Sequence, residues 1–203
     1  MAASVLILVG DCHKILRGVV EIASRAKVGT DIGGIINQRA RTRIIGYIDR
    51  AASNRALLLA DGRCAASENN PNGCYVGPTV IDGITAEHEC IRDEIFGPVL
   101  SVLRVDTLDQ AIAIENASPF GNAAALFTSS GAAAAHFENH VRAGMVGINI
   151  GVPVPREPFA FGGWNDSRFG MGDITGRDAI NLWTRTRKIT RKWTATSARN
   201  WMS

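Results

Sequence analysis

The chain has no stretch approaching the roughly 20 consecutive apolar residues of a membrane-spanning helix, so a membrane span is not expected. It has no C-x-x-C pair among its four cysteines (Cys12, Cys64, Cys74, Cys90), which argues against a zinc ribbon or a dithiol redox motif and leaves reduced thiols in a cytoplasmic protein as the default. Aromatic residues make up 6% of the 203 positions and Pro only 7 of them, while 46% are hydrophobic. Disordered, collagen-like and coiled-coil classes are thereby excluded, and one large or two small globular domains remain. The apolar opening from Ser4 to Val9 has no positively charged lead and stops at Gly10-Asp11, so it reads as a buried strand and not as a secretory signal.

Charge of one sign is also missing, but only locally. The whole chain carries 22 basic and 19 acidic residues, a net +3. The last 20 positions hold six cations (Arg185, Arg187, Lys188, Arg191, Lys192, Arg199) and no acid, leaving the first 183 with 16 basic against 19 acidic, a net −3. A slightly acidic body therefore precedes a basic tail. Trp193 and Trp201 flank that tail, but no recognition motif accompanies them, so nucleic acid is not the expected partner.

What is present is an alternation of short apolar runs with helical periodicity. Asp11 can cap a helix through Ile15, Leu16, Val19, Val20, Ile22 and Ala23; a second helix is expected over 38–52 and a short strand over 57–59. The Gly-, Asn- and Pro-rich stretch 61–78 predicts surface loop with at most a short hairpin. Strands at 99–103, 123–127 and 145–150, separated by helices at 107–116 and 131–142, describe crossovers and a parallel sheet buried on both faces. The fold class is α/β, an open, mostly parallel sheet flanked by helices. A Gly-rich loop then leads to a helix expected over 173–183, and the β-prone, polar run 184–193 suits an edge strand able to pair with another chain.

Several apparent sites fail on spacing. Gly170, Gly172 and Gly176 do not match the dinucleotide fingerprint, since Thr175 stands where its third glycine belongs; close backbone packing is the better account. His136 and His140 are four apart, but Glu138 is not adjacent to the first and no third zinc ligand follows, so a solvated helix face is expected. Cys90 beside His88 and Glu89 reads as a buried, inert thiol. No Gly-x-Ser-x-Gly elbow and no phosphate-binding loop occurs.

Glu94-Ile95-Phe96-Gly97-Pro98 differs. In an extended chain Glu94 and Phe96 point the same way, from a loop stiffened by Gly-Pro. A carboxylate accepts both hydroxyl protons of a ribose, and a ring beside it packs on a heterocycle. A plain lead into the following strand is the commoner meaning of such a pattern, and the residues by themselves leave both open.

The run Asp93-Glu94-Ile95-Phe96-Gly97-Pro98-Val99 closely resembles the Glu-Glu-Ile-Phe-Gly-Pro-Val signature of the NAD(P)-dependent aldehyde dehydrogenase superfamily. Further landmarks follow in that family's order across nearly the whole chain: Tyr75-Val76-Gly77-Pro78-Thr79, Pro119-Phe120-Gly121-Asn122, the Gly144 to Asn149 run, and Phe161-Gly162-Gly163 with Ser167 and Gly170 downstream. The 152–159 and 163–167 stretches are most similar to methylmalonate-semialdehyde dehydrogenase, the CoA-acylating member. The resemblance implies that Glu94 holds the nicotinamide ribose, that Phe96 lies beside the nicotinamide, that Phe161 walls the aldehyde tunnel and that Asn149 stands near the site floor.

Three departures qualify this. Asp93 replaces the first Glu of the signature, and Gly33-Gly34 stands where Gly-Pro is usual, which loosens that loop. The third is that relatives carry their nucleophile in a Gly-Gln-Arg-Cys-Met-Ala run, and Met1-Ala2-Ala3 falls where the residues after that Cys would be. None of the four cysteines matches it, so no catalytic residue and no metal ligand is assigned here. The expectation is a C-terminal piece lacking the nucleophile, the general-base Glu, the oxyanion Asn and the Rossmann domain, with NAD not held tightly by these residues alone. Residues 1–183 are expected to form the catalytic-domain-like region and 184–203 an oligomerisation strand and tail. Expected partners are a second copy or a full-length paralogue, with aldehyde and CoA by family. The alternative is a noncatalytic interaction module using the same strand.

Overall fold

Strand β1 (Val5–Val9) begins the chain, followed by helix α1 (His13–Arg25). The structure, a computed structural model, describes residues 3–156, 158–170 and 172–193. Asp11 does not cap α1 as its position suggests: Cys12 occupies the N-cap without a side-chain bond, while Asp11 Oδ1 accepts from the His13 N–H at 3.3 Å. Of the apolar set on α1, Leu16, Val19, Val20 and Ala23 pack into a core with Leu8, Val80 and Val102. Ile15 and Ile22 remain exposed.

Helix α2 (Gln38–Ser53) starts at Asn37, whose side-chain oxygen accepts from the Ala40 N–H at 2.8 Å, satisfying one of the orphan donors of the first turn. Ile44, Ile48 and Ala51 recur along it at helical spacing and are fully buried. They pack against Val76, Ile81, Cys90, Ile95 and Val99, the largest of the three core clusters. Strand β2 (Leu57–Ala60) follows α2, and the 61–78 stretch is loop with one isolated bridge, Ser67 to Asn70, as its composition predicts.

Next come β3 (Thr79–Asp82), the single-turn helix α3 (Glu89–Arg92) and β4 (Val99–Val105). Neither β3 nor α3 is expected from the sequence. β3 is central and all four of its residues are buried, yet Thr79 and Asp82 make it look like loop. Its polar groups are satisfied internally: Thr79 Oγ1 accepts from the Gly62 N–H at 3.0 Å, and Asp82 receives Arg104. The four strands order as β1-β4-β3-β2, with β1 and β3 parallel to β4 and β2 antiparallel to β3 at the edge.

Helix α4 (Leu108–Asn116) opens with a capping box, in which Thr107 accepts from the Gln110 N–H and the Gln110 side chain reaches back to the Thr107 N–H. Then follow β5 (Phe120–Gly121), β6 (Ala123–Leu126), α5 (Gly131–His140) and β7 (Met145–Ile148). The parallel pairing expected in this segment is found between β6 and β7, from Ala123 opposite Met145 to Leu126 opposite Ile148. β4 and β6 are not neighbours, however: β6 and β7 form a separate two-stranded sheet. Helix α4 links the two sheets, packing against β1 and β4 and against α5.

The last part is less regular. β8 (Trp164–Asn165) pairs antiparallel with β5, and α6 (Asp178–Trp183) is shorter than the 173–183 helix expected. Gly172 explains the late start: its φ is +82° and a Cβ there would stand 2.8 Å from the Asp178 carbonyl oxygen, so the chain turns tightly onto the helix it precedes. Residues 184–193 form neither helix nor strand and are exposed throughout, and residues 194–203 of the expected tail lie outside the described residues. Among the described residues no helix is long and apolar enough to cross a membrane.

Candidate functional site

The turn between α3 and β4 carries Glu94 and Phe96. Ile95 between them is 5% exposed and belongs to the α2 core cluster, whereas Glu94 is exposed and Phe96 is 76% exposed. One buried anchor thus leaves a carboxylate and a ring exposed on either side of it. The turn is not simply extended: Phe96 has φ +50°, a left-handed conformation uncommon for a bulky side chain.

Helix α2 supports this turn from beneath. Arg43 donates from Nη2 to the Ile95 carbonyl at 2.6 Å and from Nη1 to the Glu94 carbonyl at 3.5 Å. One helical turn further, Tyr47 donates its hydroxyl to Asp93 Oδ2 at 2.8 Å. That bond, then burial, raises the Tyr47 hydroxyl pKa. Arg50 grips Glu89 in a two-pronged pair at 2.8 and 2.9 Å and lies 4.7 Å from the centre of the Tyr47 ring. Asp93, which stands where the family signature has a Glu, thus has its carboxylate held by Tyr47.

Asn149 and Phe161 sit on other supports. Asn149 follows β7 with φ +57°, a region Asn tolerates, and its amide spans Thr128: Oδ1 accepts from the Thr128 N–H at 2.9 Å and Nδ2 donates to the Thr128 carbonyl at 3.0 Å. These bonds tie the ends of β6 and β7 together. Phe161 is half-buried in the Gly-rich loop, where its N–H donates to Thr175 Oγ1 at 2.8 Å. Glu94 and Phe96 are thus carried by one turn, while Asn149 and Phe161 are placed by two further segments.

Other candidate groups have structural roles. Cys90 is buried beneath Tyr47, and burial pushes its thiol up to about 11, so no reactive thiolate is offered near neutral pH. His88 beside it serves as the N-cap of α3, its Nδ1 accepting from the Cys90 N–H at 3.1 Å. His136 and His140 lie with ring centres 4.2 Å apart and His136 Nε2 meets Asp109 at 2.6 Å. Among the described residues no three His, Cys, Asp or Glu side chains are grouped to hold a metal ion.

The supporting residues Arg43 and Tyr47 are not singled out by the sequence. Arg39, Arg43, Tyr47 and Arg50 follow one another at three- and four-residue steps, a pattern that reads as the solvated side of an amphipathic helix.

The aldehyde dehydrogenase family profile matches residues 1–189. Malonate-semialdehyde dehydrogenase 2 of Geobacillus kaustophilus is 37% identical over 200 residues, covering 95% of this chain and 41% of that protein. A mitochondrial Drosophila melanogaster protein, named as a probable methylmalonate-semialdehyde/malonate-semialdehyde dehydrogenase (acylating), is 40% identical over 202 residues, covering 97% and 39%. Among solved structures, methylmalonate-semialdehyde dehydrogenase of Oceanimonas doudoroffii superposes with a TM-score of 0.86 at 37% identity, covering 97% of this chain and 42% of its own. A Sinorhizobium meliloti 1021 protein solved as its complex with NAD gives 0.87 at 34% identity, covering 95% and 41%. The chain spans about two fifths of the length of the curated relatives it matches. With the signature turn, the α/β scaffold beneath it and this match, the chain belongs to the aldehyde dehydrogenase family.

Proposed function

We propose that this chain forms the part of an NAD-dependent, acylating semialdehyde dehydrogenase that receives the nicotinamide ribose and lines the aldehyde site. The observation that carries this reading is the turn at 94–96, where Ile95 is buried while Glu94 and Phe96 on either side of it stay exposed. Glu94 offers two acceptor oxygens to vicinal hydroxyls, and Phe96 offers an exposed face to a flat ring. These groups fit the nicotinamide end of a dinucleotide. When bound, NAD supplies the hydride acceptor. The chain's own contribution is to orient that end through Glu94 and Phe96, with Phe161 and Asn149 as substrate-side residues. The substrate class is a short semialdehyde such as malonate or methylmalonate semialdehyde, with CoA as acyl acceptor, in keeping with the names of the relatives.

Cys90 is buried with its thiol pushed up to about 11, and none of the four cysteines lies in a Gly-Gln-Arg-Cys-Met-Ala run, so these 203 residues by themselves are expected not to turn over aldehydes. Absorbance of NADH in a mixture of the purified chain, NAD, CoA and malonate semialdehyde tests this. No signal is expected, and turnover surviving exhaustive purification would overturn it. A second reading, association with another copy or with a full-length relative, is favoured by the 184–193 segment. It is exposed, β-prone and outside the chain's own sheets, with Ile189 62% and Trp193 83% exposed.

A further inference from the structure

Phe96 holds a left-handed φ while keeping most of its ring in solvent, so its own packing does not fix that conformation. The flanking residues do. On one side the Ile95 side chain is buried in the α2 cluster; on the other, Gly97 packs so closely on Ile44 that a Cβ would come within 2.9 Å of it. Between these two anchors the carbonyls of Glu94 and Ile95 turn toward α2, where Arg43 meets both. A guanidinium is suited to this because its fork presents several donors in a fixed plane. The Arg43 stem lies beside Tyr47, whose ring centre is 5.9 Å from the guanidinium carbon and whose hydroxyl holds Asp93.

We infer that Arg43 is the positioning residue of the nicotinamide-ribose site: by clamping the Glu94 and Ile95 carbonyls it sets the turn that leaves Glu94 and Phe96 exposed. Its part is played through the backbone, whose Glu94 and Ile95 carbonyls it holds. The inference rests on the ribose-binding reading of Glu94. Being exposed on the helix surface, Arg43 can be replaced without opening the core beneath it, which makes its role separable from folding.

The test uses the full chain with nicotinamide mononucleotide as the probe. Amide NMR follows the titration and hydrogen exchange in wild type, Arg43→Met, Arg43→Lys and Glu94→Gln. In Arg43→Met, which keeps the stem and loses the donors, amide exchange at Phe96 and Gly97 should rise about tenfold, one power of ten in an equilibrium constant, and the probe should bind at least about fivefold more weakly. Exchange at Ile48 and Val102 should stay at wild-type rates, and Arg43→Lys, which retains a donor for the Ile95 carbonyl but not the fork, should recover only part of the loss. A Glu94-dependent response that Arg43→Met leaves intact overturns the positioning role alone. A wild-type response unchanged in Glu94→Gln, or no response at all, overturns the ribose-site reading and this inference with it.

Discussion

Gly97 lies against Ile44 with no space for a side chain, since a Cβ there would stand 2.9 Å from both Cδ1 and Cγ2 of Ile44. Ile44 is fully buried and held in a helix, so it cannot swing aside. Gly97→Ala is therefore expected to destabilise the chain by about 1–3 kcal/mol, the usual cost of overpacking. Ile44→Val removes one methyl from the contact, and the pair should couple: the double variant should lose less than the two single losses added together. Urea unfolding of the four proteins measures this. Strict additivity would mean that the two residues do not press on each other.

The Asp82–Arg104 pair joins β3 to β4 and makes stability depend on acid. Burial alone would push the Asp82 carboxyl up, but the Arg104 guanidinium and the Gly83 N–H outweigh it and hold it below the ordinary 3.8. A carboxyl lowered on folding contributes stability that is present above its unfolded value and is lost as pH falls through the folded one. Loss should therefore set in below about pH 4. Arg104→Met should cost about 2 kcal/mol at pH 7, less than breaking a fully buried pair because Arg104 is itself 45% exposed. The same change should flatten the acid limb of the stability curve, and a limb as steep as in wild type would contradict the assignment.

Glu115 has the opposite sign. Its Oε2 is buried without a partner, and burial raises its pKa above the ordinary 4.5 despite a backbone N–H from Arg142. An acid raised on folding is least favourable when ionised, so its cost grows as pH rises from 4.5 through the folded value. Glu115→Gln should stabilise the chain at pH 7 by on the order of 1 kcal/mol, a figure kept small because the residue is only half-buried. The gain should disappear toward pH 4. Thermal melts at both pH values decide, and a gain independent of pH would exclude the carboxylate as its cause.

Thiol reactivity should sort by burial. Cys64 is exposed and should react with a maleimide first, while Cys90, buried and raised to about 11, should react only on unfolding. Mass spectrometry of partly labelled protein reads the order directly, and early labelling of Cys90 would contradict the burial of α3 against α2.

For the exposed 184–193 segment, strand addition to another chain needs its backbone N–H groups more than its side chains. Ile189→Pro should then weaken self-association more than Lys188→Ala does. A monomeric wild type, or an oligomer indifferent to the proline, would show by sedimentation that the segment is no interface.

Much of the fold was legible because helices and strands carried their own periodicity. The apolar run of Ile44, Ile45, Tyr47 and Ile48 marks α2 almost to the residue, and the valines and leucines of 99–103 mark β4, which runs on to Val105. β3 was hidden because Thr79 and Asp82 resemble turn residues until their partners Gly62 and Arg104, distant in sequence, are seen. The separation of β6 and β7 from the larger sheet was hidden for a similar reason, since alternation announces crossovers but not which strands become neighbours. At the site, Glu94 and Phe96 were visible as a motif. Their support was not, because Arg43 and Tyr47 look like any solvated helix face and only the fold sets that face beneath the turn.

The most direct measurement compares NAD with nicotinamide mononucleotide by titration of the same chain, wild type and Glu94→Gln. Under the proposed assignment Glu94 and Phe96 meet the nicotinamide end alone, so both ligands should bind with similar dissociation constants of about 1 mM, equivalent to roughly 4 kcal/mol, and both should weaken in Glu94→Gln. NAD binding in the micromolar range, or binding of either ligand indifferent to Glu94, would contradict the assignment of this turn as the nicotinamide-ribose site.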